Sequence, residues 1–134
     1  MQWFMKALRQ YADFSGRARR REFWMFSLVY SVIAIGLLVL VGLATVAGGR
    51  GAAVLFALPV LFMAAMIIPG MAVTTRRLHD TNRSGWWQLI SLVPFGSIVL
   101  FVFEVLDGDP SANRYGPDPK AAERMPAQYP LAAA

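Results

Sequence analysis

The chain has 134 residues, with 13 Lys+Arg, 8 Asp+Glu, one His, no Cys and 57% apolar residues. The length suits one compact unit, and a charged fraction of 16% lies well below the roughly 25% of a soluble globular domain. Zero cysteines exclude a disulfide framework, a Cys zinc site and a Cys nucleophile. One His excludes a multi-His metal centre within the chain, so the sequence implies neither metal nor other cofactor.

In chain order, residues 2–14 read first as an amphipathic helix. Gln2, Lys6, Arg9 and Asp13 recur on one stripe, with Trp3, Phe4, Ala7, Leu8, Tyr11 and Phe14 opposite. A basic face with Trp and Phe opposite suits a helix lying in the headgroup plane of a membrane. Ser15-Gly16 breaks it, and Ser15 is a fair N-cap for the next helix, which opens on the basic run Arg17–Arg21.

Three uncharged stretches follow, and a bilayer-crossing helix needs about 20 apolar residues. Spans are predicted at about 23–47, 52–75 and 86–106. A soluble helix of that length keeps a polar face, and these show none. The first stretch is longer than the roughly 7–15 apolar residues of a signal peptide, so it reads as an anchor that stays. It carries Ser27, Ser31, Ala34, Gly36 and Gly42, small residues of the kind that let helices approach in lipid. Gly48–Gly51 reads as a tight turn, and Pro59 and Pro69 as kinks. Pro94-Phe95-Gly96 lies near the middle of the third stretch and leaves open a re-entrant hairpin, which survives in a bilayer only when buried in protein. The tail 107–119 is dense in turn formers, and 120–134 is Ala/Pro-rich and reads as disordered. The expected fold is therefore an all-α integral membrane protein. It has three transmembrane helices preceded by an interfacial helix, in a single polytopic domain 1–119 with an irregular tail.

Charge fixes an orientation for that arrangement. With three spans, the N-terminal segment and second loop carry nine Lys/Arg and the opposite side four. Lys/Arg-rich short loops stay cytoplasmic, which places the N-terminus inside and the tail outside. Trp3, Trp24, Trp86 and Trp87 all fall at the inner face in this arrangement.

Two constellations draw the eye. Arg76-Arg77-Leu78-His79-Asp80-Thr81-Asn82-Arg83-Ser84-Gly85-Trp86-Trp87 sits between two stretches at the inner interface. Its plain reading is anchoring, with Arg on lipid phosphates and Trp at headgroup depth. Its sharper reading is a phosphate or carboxylate niche. Arg supplies a bidentate fork, and Ser84 at a helix start leaves amide donors facing an anion. His79 and Asp80 are not a ready-made dyad, because adjacent helix residues do not face each other. The second constellation is Arg17, Arg20, Glu22 and Trp24 within the basic run, where Arg19 and Glu22 are spaced to pair on one helix face. Nucleic acid is a poor partner for arginines pinned at a bilayer. No Walker loop, dinucleotide fingerprint, nucleophile elbow or zinc motif is present.

These pieces resemble the bacterial inner-membrane family called domain of unknown function 805, over about residues 12–119. The resemblance is carried by Gly16-Arg17 with Arg20, Glu22 and Trp24; by Pro69; by Arg76-Arg77-Leu78-His79-Asp80 with Ser84-Gly85-Trp86-Trp87; and by Asp107-Gly108 with Asn113-Arg114-Tyr115-Gly116-Pro117-Asp118-Pro119. Arg19 and Ser111 depart from its pattern. It implies a small multi-pass protein of the bacterial inner membrane and supplies no activity. The leading expectation is a non-enzymatic binding or assembly module whose cytoplasmic-face motif contacts anionic headgroups, a partner membrane protein or a second copy of the chain. A small oligomeric transporter, channel or holin-like pore is the alternative. Against it, ionisable residues usually mark transport pathways, and the spans hold almost none.

Overall fold

The computed structural model of the protein describes residues 2–48 and 52–124. The elements are α1 (Gln2–Arg9), α2 (Arg20–Val46), α3 (Ala52–Leu55), α4 (Ala57–Asp80), a 3-10 helix (Gly85–Leu92), α5 (Gly96–Val105) and α6 (Ala121–Arg124). No strand occurs among the described residues; one isolated bridge links Asn113 and Gly116. The chain divides into two compact units, one of Met1–Phe14 with Arg21–Val73, the other of Ser15–Arg20 with Thr74–Ala134.

At 1.5 Å per residue, the 27 residues of α2 and the 24 of α4 are each long enough for a hydrocarbon core of about 30 Å. Only 17% and 22% of their most apolar windows are buried. A soluble core helix would hide that surface. Here Val32, Ile35, Leu38 and Leu43 on α2, and Val60, Leu61 and Ile67 on α4, are exposed. Exposed aliphatic surface along most of both helices is stable against lipid and not against water. Pro59 falls in the first turn of α4, where no intrahelical N–H is required, and the helix continues through Pro69. Both were expected as kinks, and neither divides α4.

In the first unit, α1 is shorter than predicted. It closes at Arg9, after which Gln10–Asp13 form tight turns on the Lys6, Leu8 and Gln10 carbonyls. Its apolar face is not all free to meet headgroups. Phe4 and Ala7 are buried, and the Phe4 ring stacks on Phe26 with centroids 5.8 Å apart. Met5, Tyr11 and Phe14 remain exposed. Deeper in the same unit Tyr30 stacks on Phe62 at 5.7 Å.

The second unit corrects the predicted third span. Trp86–Leu106 is not one helix. It consists of the 3-10 helix and the ten-residue α5, packed on each other, and α5 alone extends only about 15 Å. The joint is Val93–Gly96, closed by Gly96 N–H donating to the Val93 carbonyl at 2.9 Å. Pro94 occupies its second position and Phe95 its third, at φ 65° and ψ −3°, the form of a type II turn. Gly96 is required by close approach, because a Cβ there would collide with the Ile90 carbonyl. Both ends of the hairpin return to the same end of α4. Gln88 Nε2 donates to Thr75 Oγ1 at 2.6 Å, while Arg77 donates to the carbonyls of Glu104 and Leu106.

The tail is ordered by turns through Lys120, and Ala121–Arg124 is helical where disorder was expected; residues 125–134 lie outside the described residues, as does most of the Gly48–Gly51 turn. The hairpin joint gives a test. Gly96→Val should cost about 1–3 kcal/mol through overpacking and lower the thermal unfolding midpoint in detergent, followed by circular dichroism. Gly36→Ala, with open space around it, should not lower it. An unchanged midpoint for Gly96→Val would refute the hairpin's close packing.

Candidate functional site

The residues of the two constellations that fall in the second unit meet around the last turn of α4. That helix ends in a Schellman motif. Asn82 adopts the left-handed conformation at φ 57°, Arg83 N–H donates to the Leu78 carbonyl at 2.9 Å, and Asn82 N–H donates to His79 at 3.0 Å. This cap fixes where Arg77, His79 and Asp80 face. It also turns the chain sharply into the 3-10 helix, whose N-cap is Ser84, with Oγ accepting from Trp86 N–H at 3.4 Å.

Asp80 is the centre. Its Oδ1 accepts from Arg17 Nε at 2.9 Å and its Oδ2 from Arg77 Nη1 at 2.6 Å, all three side chains being at most 2% exposed. One carboxylate thus neutralises one of two buried guanidinium charges, and carbonyl oxygens absorb the rest. Arg17 donates to the carbonyls of Ser111 (2.7 Å), Asp109 (2.5 Å), Asp80 (3.3 Å) and Gly116 (3.4 Å). Arg77 Nε donates to Glu104 at 3.0 Å and Nη2 to Leu106, two carbonyls at the C-terminal end of α5 that lack a helical partner. Arg77 is therefore the C-cap of α5 as well as the partner of Asp80, and the helix-end dipole favours that placement. Gly108 packs directly on Asp80, where a Cβ would overlap the carboxylate, and Asp109 N–H donates to the Asp80 carbonyl at 2.8 Å.

His79 completes the cluster. Its Nδ1 lies 3.1 Å from the Gly16 carbonyl, and its ring stacks on Tyr115 with centroids 3.6 Å apart and planes within 4°. Asn113 Nδ2 donates to the His79 carbonyl at 2.9 Å, and Asn113 Oδ1 accepts from Tyr115 N–H at 2.9 Å, setting the turn that presents the tyrosine. Further out, Arg20 Nε donates to the Leu106 carbonyl at 3.1 Å, and Arg19 reaches Glu123 and the Pro119 carbonyl. The Lys120 ammonium, bonded to Asp107 at 2.6 Å, holds that carboxyl below the usual carboxylate range, with Arg20 adding to the effect. The Ser111 hydroxyl and amide do the same for Asp109.

The predicted site residues thus separate by burial. Arg17, Arg76, Arg77, His79 and Asp80 are buried in the second unit, and Glu22 is buried in the first, where it accepts from Lys6 Nζ at 2.6 Å. Arg20, Arg83 and Ser84 are half-buried, and Trp24, Trp86 and Trp87 are exposed. Sequence reasoning named Arg17, Arg77, His79 and Asp80 as candidates but not what surrounds them: the carbonyls of Glu104, Leu106, Asp109 and Ser111 on the two arginines, Gly108 on Asp80, and Asn113 and Tyr115 on His79. The signal available was the tail itself. It carries one aromatic residue, Tyr115, within the turn Asn113–Gly116.

Apolar helices of bilayer length joined to a densely paired polar cluster define an all-helical membrane protein. The chain belongs to the family described as "Protein of unknown function (DUF805)", which matches residues 11–117. It is 44% identical over 123 residues to the inner membrane protein YhaH of Escherichia coli K12, covering 90% of this chain and 98% of that one. To the inner membrane protein YhaI of the same strain it is 44% identical over 124 residues, covering 90% and 97%. No solved structure matches.

Removing one partner of a buried ion pair strands the other charge and costs about 3–5 kcal/mol. Asp80→Ala and Asp80→Asn should both sharply lower the unfolding midpoint in detergent. They should also open the tail to trypsin at Arg114, Lys120 and Arg124. Arg77→Lys should do so to a smaller extent, because an ammonium cannot satisfy three acceptors in one plane. Wild-type protease resistance in Asp80→Asn would refute the role assigned to the carboxylate.

Proposed function

We propose that the protein is a non-enzymatic, multi-pass module of the inner membrane, with its N-terminus and tail in the cytoplasm, whose outward-facing basic and aromatic residues contact anionic lipid or a partner protein. The observation that carries this reading is how the motif's reactive groups are engaged. Asp80 is held between Arg17 and Arg77, and His79 lies between the Gly16 carbonyl and the Tyr115 ring. Groups so engaged act as fasteners of the connector Ser15–Arg20, the hairpin and the tail. The groups left facing outward are of a different kind: exposed Arg21 and Arg114, half-buried Arg83, and exposed Trp24, Trp86 and Trp87. Arginine with Trp is the composition of a headgroup-level contact.

The hairpin supports the sidedness. In this reading the hairpin returns the tail to the cytoplasmic side, so that Arg114, Lys120 and Arg124 count with the nine Lys/Arg of the N-terminal segment and second loop, against the first loop's Arg50. That asymmetry is stronger than the one three spans would give, and it favours a cytoplasmic N-terminus.

Two measurements test the proposal. The chain has no cysteine, so Ala12→Cys and Ala112→Cys each create a single thiol at an exposed position. A membrane-impermeant maleimide should label neither in spheroplasts and both in inverted vesicles. Labelling of Ala112→Cys from outside would overturn the sidedness. Native mass spectrometry of the full chain in mild detergent should show retained anionic phospholipid or a protein partner, lost on changing Arg21, Arg83 and Arg114 together to Gln. A bare chain in both proteins would overturn the binding role.

A further inference from the structure

The corner between α4 and the 3-10 helix combines three features that the fold does not use up. The first is a depression of about 310 Å³ lined by Ser84, Trp86, Trp87 and Ile90. Trp86 is 79% exposed and Trp87 45% exposed, so neither indole is held in a protein core. The second is Arg83. Its guanidinium lies 4.2 Å over the Phe103 ring, and Phe103 in turn meets Trp87 edge-on at 5.5 Å, so the cation and the aromatic wall form one contiguous surface. Its one hydrogen bond is from Nη1 to the Thr81 carbonyl at 3.2 Å, and among the described residues no carboxylate pairs with it. That contrasts with Arg17, Arg19 and Arg77, each of which holds an acidic partner. The third is Arg114, whose Nη2 lies 3.4 Å from the Asn82 carbonyl and which brings a second positive charge to the same turn.

We propose that this corner seats one anionic glycerophospholipid, its phosphate on Arg83 beside Arg114 and an acyl chain against Trp86, Trp87 and Ile90. This deepens the proposed membrane-contact role and rests on it. Charge complementarity selects the occupant. A free phosphate would leave the apolar wall unused, and a neutral apolar ligand would leave the unpaired guanidinium unanswered. A phospholipid answers both, because its phosphate takes the free Nε and Nη2 donors as a fork while its chain covers the indoles. Two cations at one turn favour a headgroup with net negative charge over a zwitterionic one. The first helical residues after Ser84 lie where the chain leaves the polar turn for the apolar hairpin.

The test uses the full chain in vesicles, with Trp3→Phe and Trp24→Phe so that only Trp86 and Trp87 report. Vesicles contain increasing fractions of phosphatidylglycerol or phosphatidylcholine with brominated acyl chains, which quench indole fluorescence on contact. Half-maximal quenching should need about fivefold less phosphatidylglycerol than phosphatidylcholine, the ratio that one basic residue near an anionic surface supplies. Arg83→Gln should lower that ratio, and Arg83→Gln with Arg114→Gln should bring it to about one, while both lipids still quench, which shows that the indoles remain seated. Arg83→Lys should keep a ratio above one, and millimolar inorganic phosphate should leave the wild-type ratio unchanged. A wild-type ratio of one, a ratio preserved in Arg83→Gln, or competition by inorganic phosphate would overturn the lipid seat. Failure of either lipid to quench would instead overturn the underlying reading that this corner meets the membrane.

Discussion

Everything in the second unit depends on a carboxylate shared by two guanidiniums. Asp80 lies between Arg17 and Arg77, which are separated by 60 positions in the chain and are both almost fully buried. An isolated charge of either sign would be very costly at that burial, and a single buried pair rarely repays its own desolvation. The arrangement holds because the second positive charge is not left to a second carboxylate. It is dispersed over backbone carbonyls, those of Glu104 and Leu106 at the end of α5 and of Asp109 and Ser111 in the tail, with the Gly116 carbonyl shared with the Asn113 N–H. Only arginine, with five donors in one plane, joins a carboxylate and several carbonyls at once.

That constraint explains why the third apolar stretch folds back. Helix ends withdrawn from water must have their terminal N–H and C=O groups satisfied within the protein. The 3-10 helix is capped at its start by Ser84, and α5 is capped at its end by Arg77. The two ends must therefore lie within reach of the last turn of α4. A single spanning helix over Trp86–Leu106 would carry Leu106 about 30 Å away from Arg77. It would leave that guanidinium opposite Asp80 alone and take Gly108 off the Asp80 carboxylate. The Val93–Gly96 turn and the Asp80 cluster are thus two halves of one solution.

The sequence made the membrane class plain, because uncharged stretches near 20 residues admit few other readings. The ends of α2 and α4 fell within a few residues of those expected. It was less informative about the third stretch, where hydropathy alone does not distinguish a span from a hairpin of the same residues. The deciding facts were a left-handed Phe95 and the close approach of Gly96 to Ile90, which are properties of the backbone and not of composition. Arg17, Arg77, His79 and Asp80 were legible as candidate residues, and Arg17 donates to Asp80, whereas Glu22 pairs with Lys6 in the first unit. Their other partners were not legible. Carbonyl oxygens carry no sequence signature, and the tail's Asn113 and Tyr115 looked like ordinary turn residues until the His79 ring was found against Tyr115. On α1 the sequence did not separate Phe4 from the rest of the apolar face, since Phe4 in a helix reads the same whether lipid or Phe26 covers it.

A dense cluster of Arg, His, Asp and Trp invites a functional reading of the whole string, and burial divides it. Arg77, His79 and Asp80 are inside, with partners on three other segments, and changing any of them perturbs the fold before it perturbs a ligand. Arg83, three residues beyond Asp80, sits past the Schellman turn, bears an unpaired charge and lies against an aromatic surface rather than a carboxylate. The chain's direction changes between the two, and with it the kind of interaction. On the helix side Asp80 is shared by Arg17 and Arg77 within the molecule. On the hairpin side Arg83 and the exposed indoles have no such carboxylate partner, which is the ground of the lipid seat proposed above. The motif is continuous in sequence because the same sharp turn that aims Asp80 inward delivers Arg83, Trp86 and Trp87 outward.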